Sequence, residues 1–330
     1  MSLMRTCKLF LIAALAAFLL APAAAREAQP WTAWQATLHT GHALAGKIWS
    51  GREKRFVDPS DLAKAVGAAR FVLLGEVHDN PDAHRLQAWL IGAAAGAHKP
   101  AVVMEMITQT QAPALKDYLA KPGANAAGLG AALDWEARGW PAWEIYKPLA
   151  EEALARGLVI HAGDIDRATL KKIGRQGLGV LEAKRRQTLL LETPLGDKLR
   201  NALIDELYDS HCELMPKAAL ASAVHIQRLR DAVLADSLVA AAGTGAGILI
   251  AGNGHIRTDR AVPWYLKRRV ADADVVSVMM LEVEAETKVA EDLVPMAPDG
   301  KPAVDYVWFT PRAEREDQCE KLRKHFGKQQ

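Results

Sequence analysis

Short apolar segments that alternate with helical segments constrain the fold of this chain more than any other feature. Patterns such as Asp58-Pro59-Ser60-Asp61 and Asn80-Pro81-Asp82 are typical of helix starts. Strands that are buried on both faces and separated by helices indicate an α/β fold with a mostly parallel sheet flanked by helices. The six predicted strands cover residues 71–76, 101–106, 158–165, 247–251, 274–283 and 303–309.

The same pattern predicts how the chain is divided. We expect an N-terminal arm over 26–57, an α/β domain over 58–310 and a charged tail over 311–330. Two largely helical stretches interrupt the strands, around 109–156 and 166–242. The second of them is predicted to form an insertion or cap between the third and fourth strands.

Residues 1–25 have the features of a secretory signal peptide. Arg5 and Lys8 precede an apolar run of 12 residues that ends at Leu20, and three alanines then supply a cleavage site. This run is short for a membrane span, which needs about 20 residues. We therefore expect a periplasmic or secreted protein that starts near Arg26 and has no membrane span. No cysteine directly follows the run, so a lipid anchor is not expected.

Charge and cysteine content bound the function further. The formal net charge of +2 falls to zero when Arg5 and Lys8 are removed with the signal peptide. Nucleic-acid binding depends on basic surfaces, so DNA and RNA are not expected as partners. Cys212 and Cys319 remain, and they could pair in an oxidising compartment, a question that the sequence leaves open.

Ionisable residues follow three of the predicted strands. Glu76 and His78 end the first, Glu105 ends the second, and His255 follows the fourth. Ligands of open parallel sheets bind outside the carboxyl ends of the strands, so we expect these side chains to converge in one crevice. Each also has a structural alternative, such as capping of the next helix by Glu76. The adjoining glycine turns lack the Lys and the glycine spacing of nucleotide-binding loops.

An ordered set of motifs makes the chain resemble the ChaN-like haem-binding proteins, in the wider group that includes erythromycin-esterase-like and TraB/Tiki-like proteins. The resemblance runs from about Phe71 to Leu266. It rests on LGEVHDN at 74–80, Glu105-Met106, WPAWEIYKPL at 140–149, His211-Cys212, QRLRD at 227–231 and AGNGHIR at 251–257.

The resemblance implies that the protein binds haem and acts in haem or iron uptake. It also implies a tyrosine as the ligand of ferric iron, for which Tyr146 is the matching position. Without the resemblance, Tyr146 would be an ordinary helix residue in a tryptophan-rich core. Tryptophans suit a flat apolar macrocycle, and Arg257 is a candidate for the propionates from its charge and position. The candidate haem-binding set is Tyr146, His78, His255, Glu76, Glu105, Trp143 and Arg257.

Partners and alternatives follow from the same residues. A second copy of the chain would cover an open haem face, so a homodimer is expected, with a haem transporter or receptor as a further partner. The alternative hypothesis is a metal-dependent hydrolase, peptidase- or esterase-like, that uses Glu76, His78, Glu105 and His255 for acid–base chemistry or for holding a metal. A third is a scaffold whose polar crevice has lost its role.

Overall fold

A single eight-stranded sheet forms the centre of the protein, in the order β2-β1-β8-β7-β3-β6-β4-β5. The computed structural model describes residues 29–96 and 98–327, so the predicted signal peptide lies outside the described residues. The strands are β1 (Ile48–Ser50), β2 (Arg55–Val57), β3 (Phe71–Glu76), β4 (Ala101–Thr108), β5 (Ile160–Asp164), β6 (Gly247–Gly252), β7 (Val275–Glu282) and β8 (Tyr306–Thr310).

The sheet is parallel from β8 through to β5, as the apolar runs predicted. All six predicted strands are present, with ends that differ by a few residues. The β1 and β2 strands form an antiparallel pair, and β1 also pairs antiparallel with β8. These two strands have three residues each, which is too short to give an apolar run, and they lie in the segment that was predicted as an arm.

Helices cover both faces of the sheet. Four of them, α6 to α9, lie between β5 and β6, which confirms the helical insertion between the third and fourth predicted strands. The helices are α1 (Pro59–Ala68), α2 (Pro81–Ala95), α3 (Ala112–Leu119), α4 (Ala126–Ala132), α5 (Trp143–Ala155), α6 (Arg167–Gln176), α7 (Ala183–Thr188), α8 (Asp197–Ser210), α9 (Ala221–Ala242), α10 (Val262–Arg269), α11 (Ala290–Leu293) and α12 (Gln318–Gly327).

Strand β3 shows why its sequence is apolar throughout. Every residue of β3 is buried. Val72 and Leu74 pack into one hydrophobic cluster with α2 and α5, whereas Phe71 and Leu73 pack into a second cluster with α9 and α10. Because neighbouring side chains of a strand point to opposite faces, a strand between two helical layers has no solvent-facing side.

The strand order brings the polar strand ends together. β6 lies between β3 and β4, and Glu76 is opposite Gly252 in the register. A short turn over Asn253–Ile256 then packs against β3 at Gly75. A Cβ atom at Gly75 would clash with Asn253 Oδ1, so glycine permits this close approach of the turn to the strand.

A disulfide joins the helical insertion to the C-terminal segment. It links Cys212, which follows α8, to Cys319 in α12, 107 residues later in the chain. The structure thus answers the pairing question that the sequence left open.

Candidate functional site

The four ionisable side chains that were expected at the strand ends do converge. His78 Nδ1 lies 2.8 Å from Glu76 Oε1, and His78 Nε2 lies 3.9 Å from Glu105 Oε1. His255 lies near the same Glu105 oxygen, with its Nε2 at 3.6 Å. Gly252 faces this cluster, and a Cβ atom there would lie only 3.1 Å from His78 Nε2. Convergence follows from the adjacency of β3, β6 and β4.

Helix α9 supplies two residues that the sequence-based candidate set missed. The Asp231 carboxylate accepts a hydrogen bond of 2.6 Å from His255 Nδ1. The Arg230 guanidinium donates to Asp164 at 2.7 Å and also to Glu105. Both residues lie in the QRLRD segment, where three charged side chains are clustered in a mostly apolar helix. That cluster is the sequence signal that could have identified them.

The buried carboxylates of Glu76 and Glu105 stay ionised because cations compensate them. Burial alone would raise the pKa of Glu105, but His255, Arg230 and His78 outweigh it and lower the pKa to about 2. Burial likewise opposes ionisation of Glu76, and His84 and His78 hold its pKa well below the usual range. The floor of the crevice is therefore a network of alternating charges rather than a set of neutral polar groups.

Tyr146 lies beneath this network and has no exposed surface. Its hydroxyl donates a hydrogen bond of 2.7 Å to Glu76 Oε1, and its ring packs on His84 with a centroid separation of 3.9 Å. Burial, followed by the neighbouring Glu76 carboxylate, raises the pKa of Tyr146 well above its ordinary value. In this conformation Tyr146 is a neutral phenol that anchors Glu76.

Two other candidates lie away from the crevice. Trp143 is buried in the aromatic core, where its Nε1 donates to the Ala126 carbonyl at 2.8 Å. The Arg257 guanidinium is also buried and donates to Asp259 at 3.0 Å. Neither residue lines the cavities at the strand ends, whereas Trp140 does.

Two adjoining cavities open above the network, and Glu105 and Arg230 line both of them. The larger, of about 650 Å³, has an apolar wall formed by Trp140, Ile165, Leu170 and Ile226. The smaller, of about 380 Å³, contains His78, His255 and the Gly252–Gly254 turn. Each has a size that is usual for cofactor sites, roughly 300–1,000 Å³.

The side chains of the crevice could transfer protons or pair with a charged ligand. Two imidazoles are each held at Nδ1 by a carboxylate, an arrangement that suits either acid–base work or ligation through Nε2. Over residues 29–96 and 98–327, no group of three or more His, Cys, Asp or Glu side chains is arranged to hold a metal ion.

The His78 proton should make stability pH-dependent. Burial lowers the pKa of His78, but the Glu105 and Glu76 carboxylates outweigh it and raise the pKa to about 9 from 6.5. Because this pKa is higher in the folded state than in the unfolded state, protonated His78 stabilises the protein fully below pH 6.5. This stabilising contribution is lost as the pH rises through 9. We expect the denaturant midpoint of the wild-type protein to fall between pH 6.5 and 9.5.

The matched variant is His78→Gln, which keeps a hydrogen-bonding side chain that does not titrate. Its midpoint should change less than that of the wild type over the same pH range. Parallel profiles for the two proteins would show that His78 is not held as an imidazolium between the two carboxylates.

In the described part of the chain, every helix is too short or too polar to cross a membrane.

Comparison with curated proteins found no match. The sequence of residues 62–266 matches the family described as haem-binding uptake, Tiki superfamily, ChaN.

A solved structure shares the fold, and two more are similar with TM-scores below 0.5. ChaN of Campylobacter jejuni, described with cofacially bound haem, is 21% identical, with 79% of this chain and 95% of that chain covered and a TM-score of 0.60. An erythromycin esterase mutant, EreC in its open conformation, is 12% identical over 82% of this chain and 99% of that chain, with a TM-score of 0.44. The type III effector HopBA1 is 11% identical over 76% and 91%, with a TM-score of 0.42. The family match spans well over half of the chain, so this protein belongs to the ChaN family of haem-binding uptake proteins in the Tiki superfamily.

Proposed function

We propose that this protein acts in uptake by holding ferric haem in the crevice at the carboxyl ends of β3, β6, β4 and β5. Haem is the cofactor that the family membership assigns. The observation that carries the location is the larger cavity, which places an indole and an aliphatic wall directly beside the charged network. Haem is here the cargo, and the chain's role is to bind it and shield it from water.

The lining of the crevice fits the macrocycle. A porphyrin is flat and apolar over most of its area, and Trp140, Leu170 and Ile226 offer matching apolar surface. The Trp140 ring also packs edge-on against His78, with centroids 5.1 Å apart. An apolar wall and a potential ligand therefore meet at one place in the crevice.

The axial ligand is the finer part of the proposal. Tyr146 remains the ligand that the family resemblance implies, but its hydroxyl must first leave Glu76 and lose a proton that burial and Glu76 strongly retain. His78 has 36% of its side chain exposed and lies 3.3 Å from the Tyr146 hydroxyl. We propose that one residue of this contacting pair supplies the ligand, Tyr146 after a local rearrangement or His78 after loss of its proton.

A haemin titration of residues 26–330, followed by visible absorption, tests both parts. We expect a saturable change in the Soret band with a stoichiometric end point. If Tyr146 is the ligand, the wild type should show a high-spin phenolate charge-transfer band, which Tyr146→Phe abolishes and His78→Gln keeps. If His78 is the ligand, the wild type should lack this band, and His78→Gln should change the Soret spectrum whereas Tyr146→Phe should not.

Trp143→Phe serves as the control, because Trp143 lies in the nearby core but not in the crevice. An unsaturable titration of the wild type would overturn haem binding here. Unchanged spectra in both the Tyr146 and His78 variants would overturn the ligand assignment alone.

We also propose a cellular location and an oligomeric state for this protein. A signal peptide over 1–25 and a disulfide between Cys212 and Cys319 both support an exported, periplasmic or secreted protein. A homodimer is proposed because the crevice is open on one side, and transfer to a haem transporter or receptor would follow. Measuring the molecular mass of the titrated samples in solution tests the dimer, since the mass of the protein should double only when haemin is present.

The second candidate is a hydrolase. The two carboxylate-held imidazoles, Glu76–His78 and Asp231–His255, favour general acid–base catalysis. The geometry of the described residues adds no support to the metal-dependent form of this hypothesis. Elemental analysis tests the metal-dependent form, because stoichiometric zinc or manganese without haem would favour that hydrolase.

A further inference from the structure

A row of exposed cations lies along helix α6. Arg167, Lys171 and Arg175 are spaced four residues apart, so they share one face of the helix. None of them has a carboxylate within ion-pair distance in the described part of the chain. Like charges at this spacing repel one another, and Arg167 also lies in the first helical turn, where the helix dipole disfavours a cation. Helix stability therefore does not explain the row.

Helix α5 shows how surface cations can be paired locally. Lys147 lies beside Glu144, and Arg156 lies beside Glu152, each three or four residues apart. The cations of the α6 row have no such partner among the described residues, which leaves their charges available to a ligand.

An apolar groove runs beside the row. Leu170, Gly174 and Ile226 line it together with the three cations, and it encloses about 470 Å³. A Cβ atom at Gly174 would come within 3.2 Å of Ile226 Cδ1, so the glycine keeps this part of the groove clear. Arg167, Leu170 and Ile226 also line the larger cavity, which makes the two spaces continuous.

The acids of the larger cavity do not neutralise the row. Asp164 and Glu105 are engaged by Arg230, and the Asp166 carboxylate accepts bonds from the Thr169 amide and hydroxyl. Asp134, which is exposed, is the remaining acid in that lining. Negative charge is thus concentrated in the larger cavity, while the groove beyond it carries only positive charge.

We infer that the α6 row, Arg167 and Lys171 above all, binds the two propionates of haem. This rests on the proposed function, and it sets the orientation of the cargo. The macrocycle lies on the apolar wall shared by the two spaces, and the carboxylates project into the groove. A guanidinium pairs with a carboxylate through two parallel N–H donors, and an ammonium adds a point charge.

The test compares haemin with haemin dimethyl ester, in which both propionates are uncharged. We expect Arg167→Glu/Lys171→Glu to bind haemin about tenfold more weakly, because two exposed ion pairs are lost and repulsion is added. The same variant should bind the dimethyl ester as the wild type does. The control is Lys64→Glu/Lys99→Glu, which changes the same charge at exposed positions outside the groove.

The outcomes separate the two proposals. Wild-type haemin affinity in the α6 variant would overturn the assignment of the row while leaving haem binding intact. Equal weakening of haemin and the dimethyl ester would overturn it as well, because the effect would then not act through the propionates. Failure of the wild-type protein to bind either compound would overturn the proposed function itself.

Discussion

Replacement of Arg230 with methionine should lower the free energy of unfolding by about 3–5 kcal/mol. The guanidinium lies between the buried carboxylates of Glu105 and Asp164, and methionine preserves the aliphatic volume but not the charge. Both carboxylates would then be desolvated without their shared cation. Burial already raises the pKa of Asp164 even with Arg230 present, so it would be the first to protonate. Urea unfolding at pH 7 measures the loss.

Arg185→Met is the matched control. Arg185 also pairs with a carboxylate, Asp236 at 2.9 Å, but 40% of its side chain is exposed. Surface ion pairs contribute about 0–1 kcal/mol, so this variant should be nearly as stable as the wild type. If both variants lost equally little free energy of unfolding, the Arg230 ion pairs would not stabilise the floor of the crevice. The triple variant that adds Glu105→Gln and Asp164→Asn should recover part of the loss, since it removes the unpaired charges.

The carboxyl ends of the parallel strands are the part of the site that could be predicted from the sequence. Glu76 and Glu105 each belong to an apolar run, and the position of the run fixes which edge of the sheet the carboxylate reaches. Strand direction and adjacency alone are enough for this prediction, and His78 and His255 lie near the two carboxylates for the same reason.

Residues close to the strand ends were harder to predict. Trp143 and Arg257 belong to the same motifs as Trp140 and His255, but only Trp140 and His255 line the cavities. Trp140 lies in the loop before α5, whereas Trp143 begins α5 and is buried in the aromatic core. Arg257 follows the turn over 253–256 and pairs with Asp259. Which side chain of such a segment faces the crevice depends on packing partners that are distant in the sequence, and no local pattern encodes it.

The β1–β2 pair was beyond sequence analysis for a different reason. Three-residue strands have too few positions for an alternating pattern, and their pairing with β8 joins residues near 50 to residues near 306. Burial of Ile48 and Trp49 against the sheet decides this contact, since neither strand would form alone.

Removal of the disulfide should have the second large effect. Cys212→Ala/Cys319→Ala is expected to lower the free energy of unfolding by about 2–4 kcal/mol. The bond closes a loop of 107 residues, so the unfolded chain without it gains much conformational freedom. It also fixes the end of α8, whose residues Leu203 and Leu207 line the smaller cavity. Denaturant unfolding of the oxidised wild type and of the double variant measures the difference.

A reductant provides the control for this experiment. Dithiothreitol should lower the unfolding midpoint of the wild type to that of the double variant, while the variant itself should not respond. Equal midpoints for oxidised wild type and double variant would mean that the bond adds no stability and that non-covalent packing alone holds the C-terminal segment against the insertion. A loss in the variant accompanied by weaker haemin binding would connect the bond to the crevice, because α8 forms one wall of the smaller cavity.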